Sequence, residues 1–136
     1  MGAWGYSVFD DDSALDFYDT LVENEDGDAF IDQIEEVLNN ACESDYLEVD
    51  EGNAVLVSSC IIDACINNTE YKFPSDEYSQ LISENHKAKL RSLRTTAVDA
   101  INAVLSENSE LNELWYETET YEDWKNSIQK IKENLM

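Results

Sequence analysis

The groups most able to do chemistry in this 136-residue chain are its 31 carboxylates. Carboxylates three residues apart on a helix can hold Mg²⁺ or Mn²⁺ and activate water for hydrolysis. Such pairs occur here about as often as the acidic composition alone would produce, so their spacing does not single out a metal site. We keep a divalent-metal-dependent hydrolase as an alternative function, with these residues as its ligands: Asp32, Glu35, Glu48, Glu51 and Asp63.

Nucleophilic catalysis has few candidate groups. His86 is the only histidine, and its polar surroundings predict a surface position. A G-x-S-x-G elbow and a Gly-rich phosphate loop are both missing. Cys42, Cys60 and Cys65 form no C-x-x-C pair, so we predict reduced cysteines buried in the core rather than zinc ligands. The leading interpretation therefore has no catalytic residue, no metal site and no cofactor.

Asp63 has the most apolar surroundings of any carboxylate, because it lies in the segment 53–67. A buried carboxyl can have a raised pKa and serve in acid–base chemistry. Its neighbours at four-residue spacing, Ser59 and Asn67, favour instead a polar stripe that is exposed or lies between helices.

Half of the eight positive charges fall in one short stretch, which we call the basic patch: Lys87, Lys89, Arg91 and Arg94. Three of these side chains share one helical face. Cations near a helix N-terminus oppose the macrodipole, so something should offset them. An internal contact with the acidic first half of the chain is one interpretation, and an anion-binding patch is the alternative.

The net charge of −23 is unevenly distributed, since residues 1–71 carry 19 acidic side chains and no Lys or Arg. Such a charge repels nucleic acids and anionic membranes and attracts basic proteins at long range. We therefore predict a basic protein as partner, and neither nucleic acid nor a membrane. The expected acidic face comprises these residues: Asp16, Asp19, Asp32, Glu35, Glu36, Asp45, Glu48, Asp50 and Glu51. The alternative is that the charge only secures solubility.

Helical periodicity covers nearly the whole chain after the first nine residues. The pattern predicts two amphipathic helices, an acidic connector over 45–52, and a third helix over about 53–67 that is apolar nearly all round. A short fourth helix follows Pro74. A long fifth helix extends from Lys87 to Val104, a further turn begins at Ser109, and a last helix opens with a capping box of Thr120 and Asp123.

These elements predict an all-α fold, namely a compact bundle of about five to six helices with an irregular N-terminal segment. Residues 1–136 are expected to form a single acidic helical domain. No apolar run reaches the length of a membrane span, and the N-terminus lacks the pattern of a signal peptide. We therefore expect a cytoplasmic protein of unknown oligomeric state.

Two motifs resemble a known family. Met1-Gly2-Ala3-Trp4-Gly5, followed by Phe9 and the acidic stretch before Ala14, resembles the opening of the bacterial domain of unknown function DUF4259. The run Ser109–Trp115, followed by Trp124, is similar to its second signature. The resemblance covers about residues 1–135, although Ser7 stands where the family usually has glycine. It implies a helical, acidic, single-domain bacterial protein and supplies no catalytic residues.

The sequence thus favours a non-enzymatic protein-binding module, most sharply an immunity- or antitoxin-like binder of a basic protein. Two alternatives stay open, the metal-dependent hydrolase described above and a structural or regulatory homo-oligomer. Trp4 and Phe9 are expected to pack across the bundle, and Trp115 and Trp124 are expected to anchor its core.

Overall fold

The computed structural model describes residues 5–136, which form an all-α bundle without a β-strand in that range. A 3-10 turn, Val8–Asp10, precedes the α-helices. Eight α-helices follow between residues 5 and 136: α1 Asp12–Val22, α2 Gly27–Glu43, α3 Val49–Asn67, α4 Glu77–Leu81, α5 Glu84–Ser92, α6 Arg94–Val104, α7 Glu110–Tyr116 and α8 Tyr121–Leu135. The all-α prediction is confirmed, whereas the predicted count of five to six helices is too low.

The expected long fifth helix is in fact two helices, which meet at Leu93. The Leu93 N–H donates to the Leu90 carbonyl at 3.0 Å, a tighter turn than an α-helix makes. The Ser92 hydroxyl donates to the Lys89 carbonyl at 2.5 Å. Because Leu90, Leu93 and Ala97 all remain buried, the apolar pattern continues through the break and gives no sign of it.

The third helix begins earlier than predicted, because the second half of the supposed connector forms its first turn. Glu51 accepts a hydrogen bond from the backbone N–H of Glu48 at 3.2 Å, which ties the turn to the residue before the helix. Gly52 is the last residue of the predicted connector. It is buried within α3, where a β-carbon would come 3.3 Å from Leu111 of α7.

Helix α3 lies at the centre of the bundle, as its apolar composition predicts. Residues 52–64 are all buried, and α1, α2, α5, α6, α7 and α8 pack against this helix. Trp115 and Trp124 are buried and stack with their ring centroids 5.8 Å apart, which confirms them as core anchors. The bundle therefore surrounds one helix that also carries buried polar residues, among them Asp63.

The sequence predicted that two aromatic residues near the N-terminus, Trp4 and Phe9, pack across the bundle. Phe9 is buried and meets Tyr18 edge to face at 6.2 Å, as expected. The expectation for Trp4 lies outside the described residues.

The capping box predicted at Thr120 is wrong: between residues 5 and 136 its side chain accepts no hydrogen bond from the first turn of α8.

No helix among the residues described here is both long and apolar enough to cross a membrane.

Candidate functional site

Several predicted acids converge where α3 begins. The Asp50 carboxylate accepts a hydrogen bond from the Ser13 hydroxyl of α1 at 2.7 Å, and it lines a shallow groove together with Asp16. On its other side, Asp50 and Glu51 line a second groove against Asn40 of α2. The start of α3 therefore lies between α1 and α2, with carboxylates from two of these helices side by side.

The connector before α3 is joined to the start of α7. Leu47 donates its N–H to the Asn108 carbonyl at 2.9 Å and accepts from the Glu110 N–H at 2.8 Å. The Glu110 carboxylate accepts from the Val49 N–H at 3.0 Å. These backbone contacts bring acids of the second half of the chain beside Glu48, a proximity that the sequence does not reveal.

The pKa of Tyr46 reflects the negative charge of this region. Its hydroxyl donates to the Glu113 carboxylate at 3.2 Å. Partial desolvation, followed by this hydrogen bond and by the negative charges of Glu113, Glu110 and Glu48, raises the pKa of Tyr46. We call the carboxylates that surround the start of α3 and α7 the acidic end. Glu110 is half-buried and the others are exposed. The members are Asp16, Asp45, Glu48, Asp50, Glu51, Glu110 and Glu113.

The other predicted acids lie elsewhere. Glu35 of α2 forms an ion pair with Lys89 of α5, with Nζ and Oε2 2.9 Å apart. Asp32 lines a cleft with His86 and Lys89. Asp19 and Glu36 are exposed on α1 and α2. The structure thus divides the nine predicted acids between the acidic end, the α2–α5 cleft and open helix surface.

The basic patch lies on α5 and the start of α6. Lys87 pairs with Glu84 of its own helix at 3.1 Å, so only Lys89 reaches an acid in the first half of the chain. Arg91 and Arg94 are exposed, and within the described chain no carboxylate lies within 4 Å of either. His86 is more constrained than a free surface histidine, because its ring bonds to Asp28 at 2.8 Å and to Ser83 at 3.0 Å.

Asp63 is completely buried, so of the two predicted positions for its stripe, exposed or between helices, the exposed one is wrong. Its carboxylate accepts from the Tyr71 hydroxyl at 2.5 Å, from the Asn67 amide at 2.7 Å and from the Asn134 amide at 3.0 Å. Burial first, and then the neighbouring Cys60 and Asp63, raises the pKa of Tyr71. Three donors are directed at this carboxylate, so we assign it the structural role of joining α3 to the segment after it and to the end of α8.

A groove of about 290 Å³ lies beside this network, between the N-terminal segment, residues 69–72 and α8. Phe9, Tyr71 and Ile131 form its apolar wall. Its rim carries charges of both signs, two lysines and two acids: Lys72, Lys130, Asp10 and Glu70. The balanced rim gives no preference for a charged ligand, in contrast with the acidic end.

Comparison with known proteins places this arrangement in a family. The family model described as a domain of unknown function (DUF4259) matches residues 2–127. The chain belongs to the DUF4259 family. No curated protein and no solved structure matches it. The matched residues include every member of the acidic end, whereas Asn134, one of the partners of Asp63, lies beyond them.

The carboxylates of this DUF4259 domain are not arranged as metal ligands. Among residues 5–136, no group of three or more His, Cys, Asp or Glu side chains is placed to hold a metal ion. Of the five carboxylates proposed for the hydrolase, Asp63 is enclosed by three donors, Glu35 pairs with Lys89, and Glu51 accepts from a backbone N–H. Within residues 5–136, these three carboxylates are therefore engaged in separate contacts rather than gathered around one position.

The three cysteines of the DUF4259 domain are free thiols in unequal surroundings. Cys60 is buried as predicted and Cys65 is partly buried, but Cys42 is exposed near the end of α2, which corrects the prediction of a core position. Burial raises the pKa of all three thiols, that of Cys65 to about 11.

Alkylation should therefore proceed in a fixed order. At pH 8 only about one Cys65 side chain in a thousand would be thiolate, so we expect Cys42 to react first with iodoacetamide, Cys65 much more slowly, and Cys60 only after unfolding. Peptide mass spectrometry after timed exposure measures this order. Modification of Cys60 in the folded protein as fast as Cys42 would contradict the described burial.

Proposed function

We propose that this DUF4259 domain is a non-enzymatic protein-binding module that recognises a basic protein through its acidic end. One observation carries the proposal. The ion pairs formed within residues 5–136 all involve α5, so none of them neutralises the acidic end. Exposed carboxylates without an internal cation are available to a partner that supplies the positive charge.

Some members of the acidic end also stabilise the fold. Glu51 and Glu110 accept backbone N–H groups at the start of α3, and negative charge at a helix N-terminus is favourable. Asp16, Asp45 and Glu48 are exposed and form no ion pair within residues 5–136, so a basic partner would supply their first countercharge. A domain of net charge −23 would also attract such a partner quickly, since complementary fields raise association rates.

Immunity or antitoxin function is the sharpest form of this proposal. A small acidic domain that covers a cationic effector neutralises it by occupying the surface that the effector uses on its own anionic target. The binder itself then requires no catalytic group. The enclosed Asp63 and the capping contact of His86, whose ring nitrogen accepts the Ser83 N–H at 3.0 Å, support a structural use of both side chains.

Affinity capture from the host, with matched charge variants, tests the proposal. We expect the wild type to retain a basic protein at low and at physiological ionic strength. Asp16→Asn, Asp45→Asn and Asp50→Asn together should weaken that complex by about tenfold or more. The control removes the same charge elsewhere, from exposed acids of α6, α8 and the residue before α4: Asp99→Asn, Glu133→Gln and Asp76→Asn.

Two results would contradict the proposal. One is recovery of no basic protein at either ionic strength. The other is an equal loss of binding in the two triple variants, which would show that net charge alone matters and would favour solubility as the role of the acids.

A further inference from the structure

Two exposed tyrosines border the acidic end. The side chains of Tyr46 and Tyr116 are 41% and 71% exposed, which is unusual for large aromatic residues in a bundle with a well-filled core. The Tyr46 hydroxyl contacts Glu113, and Tyr116 follows Glu113 by three residues on α7. Residues at that spacing share one helix face, so the two rings flank a single carboxylate. We call Tyr46, Glu113 and Tyr116 the tyrosine face.

Both rings are held in place although they are exposed. Tyr116 meets Tyr121 edge to face with centroids 5.3 Å apart, and the Tyr121 hydroxyl donates to Asn112 at 2.9 Å. Tyr46 is fixed by its hydrogen bond to Glu113 and by the backbone contacts of Leu47 with α7. Rings that are already ordered lose little conformational entropy when a partner covers them.

The two segments that carry the tyrosine face contain no cation, and the nearby Lys125 of α8 lies over the Tyr121 ring, 5.9 Å from its centroid. Residues 43–51 and 107–123, which supply the face and its surroundings, include no Lys or Arg. Their acids include Glu110 and Glu113 of α7 and Glu117 directly after it. An exposed aromatic pair with a carboxylate between its rings matches a ligand that is both positively charged and planar, because such a ligand can stack on a ring and pair with a carboxylate at once.

We propose that the tyrosine face docks an arginine-bearing segment of the partner protein. The guanidinium groups stack on Tyr46 and Tyr116 and donate to Glu113. Arginine fits better than lysine, because its planar fork stacks and bonds a carboxylate in two places, whereas an ammonium acts as a point charge. This inference rests on the proposed function and identifies the chemistry of the partner surface.

Oligo-arginine and oligo-lysine peptides of equal length provide the probes, with binding measured by fluorescence anisotropy at physiological ionic strength. We expect the wild type to prefer the arginine peptide. Tyr46→Ala with Tyr116→Ala should weaken arginine-peptide binding by about tenfold and change lysine-peptide binding by less than about twofold. These substitutions leave the net charge unchanged, so a loss cannot come from long-range attraction.

Two control variants separate ring stacking from other effects. Tyr46→Phe with Tyr116→Phe keeps both rings and should bind the arginine peptide within about twofold of the wild type. Tyr6→Ala removes another exposed tyrosine, 45% exposed in the segment before the 3-10 turn, and should bind as the wild type does. Circular dichroism verifies that each variant is folded.

The outcomes distinguish this inference from the proposed function. Unchanged arginine-peptide binding in the double alanine variant, or an equal loss for both peptides, would overturn the inference. The acidic-end triple variant would then still lose the host partner if the proposed function holds. Failure of the proposed function appears separately, as no basic partner in the capture experiment.

Discussion

Replacing Asp63 by alanine is expected to lower the free energy of unfolding by about 3–5 kcal/mol. The substitution removes a buried carboxylate and leaves the Tyr71 hydroxyl and the amides of Asn67 and Asn134 without this acceptor. An unsatisfied buried donor costs about 1–3 kcal/mol, and the cavity left by the side chain adds to the loss. Urea denaturation followed by circular dichroism measures the change.

Three further variants determine whether the hydrogen-bond network is the cause. Asp63→Asn keeps a carbonyl acceptor and should cost less than the alanine variant, and Tyr71→Phe, which removes one donor, should cost about 1–2 kcal/mol. Asp76→Ala removes an exposed carboxylate and should change stability by at most about 0.5 kcal/mol. A loss below about 1 kcal/mol for Asp63→Ala would contradict the network described here.

The environment of Asp63 shows why its role could not be predicted from sequence. Its own helix was recognisable as central, because residues 52–64 are apolar enough to be buried on every side. A carboxylate there is stable only with hydrogen-bond donors, and the sequence shows just one of them, Asn67, at helical spacing. Tyr71 approaches through the chain that turns back after Asn68, which adopts a left-handed conformation, and Asn134 approaches from the other end of the molecule.

The helices show the same difference between what the sequence reveals and what depends on contacts in the folded chain. Apolar spacing predicted the all-α class and the core positions of Trp115 and Trp124 correctly, since both depend on which side chains avoid water. The break at Leu93 depends on backbone hydrogen bonds, and the apolar pattern continues across it. Periodicity therefore identifies buried faces better than it identifies where one helix ends and the next begins.

For the candidate site, charge counted along the chain was only partly informative. Residues 1–71 do carry most of the acids, but Glu35 pairs with Lys89 of α5 and is therefore separate from the acidic end. Glu110 and Glu113 join the acidic end from the half of the chain that holds every Lys and Arg, because Leu47 bonds to the start of α7. The relevant asymmetry is spatial: Lys89 of α5 pairs with Glu35 of α2, whereas the start of α3 has carboxylates from both halves of the chain.

Gly27→Ala is expected to destabilise the fold by about 2–3 kcal/mol. Gly27 is the first residue of α2 and is buried. A β-carbon there would overlap the backbone carbonyl of Leu81 and the ring of His86. The carbonyl cannot rotate away as a side-chain end can, so the segment between α4 and α5 would have to shift, and the contact of His86 with Asp28 would be strained. Thermal or urea unfolding measures the loss, and the His86 ring resonances in an NMR spectrum report the local displacement.

Gly52→Ala is the matched control, because Gly52 is also a buried glycine near the start of a helix. Its added β-carbon would meet only the Leu111 side chain, at 3.3 Å, and that side chain can move by the few tenths of an ångström required. Alanine also favours a helix over glycine by about 0.5–1 kcal/mol, so this variant should be neutral or slightly more stable than the wild type. Equal destabilisation by both substitutions would contradict the close approach of α2 to the segment before α5, since only that approach distinguishes the two glycines.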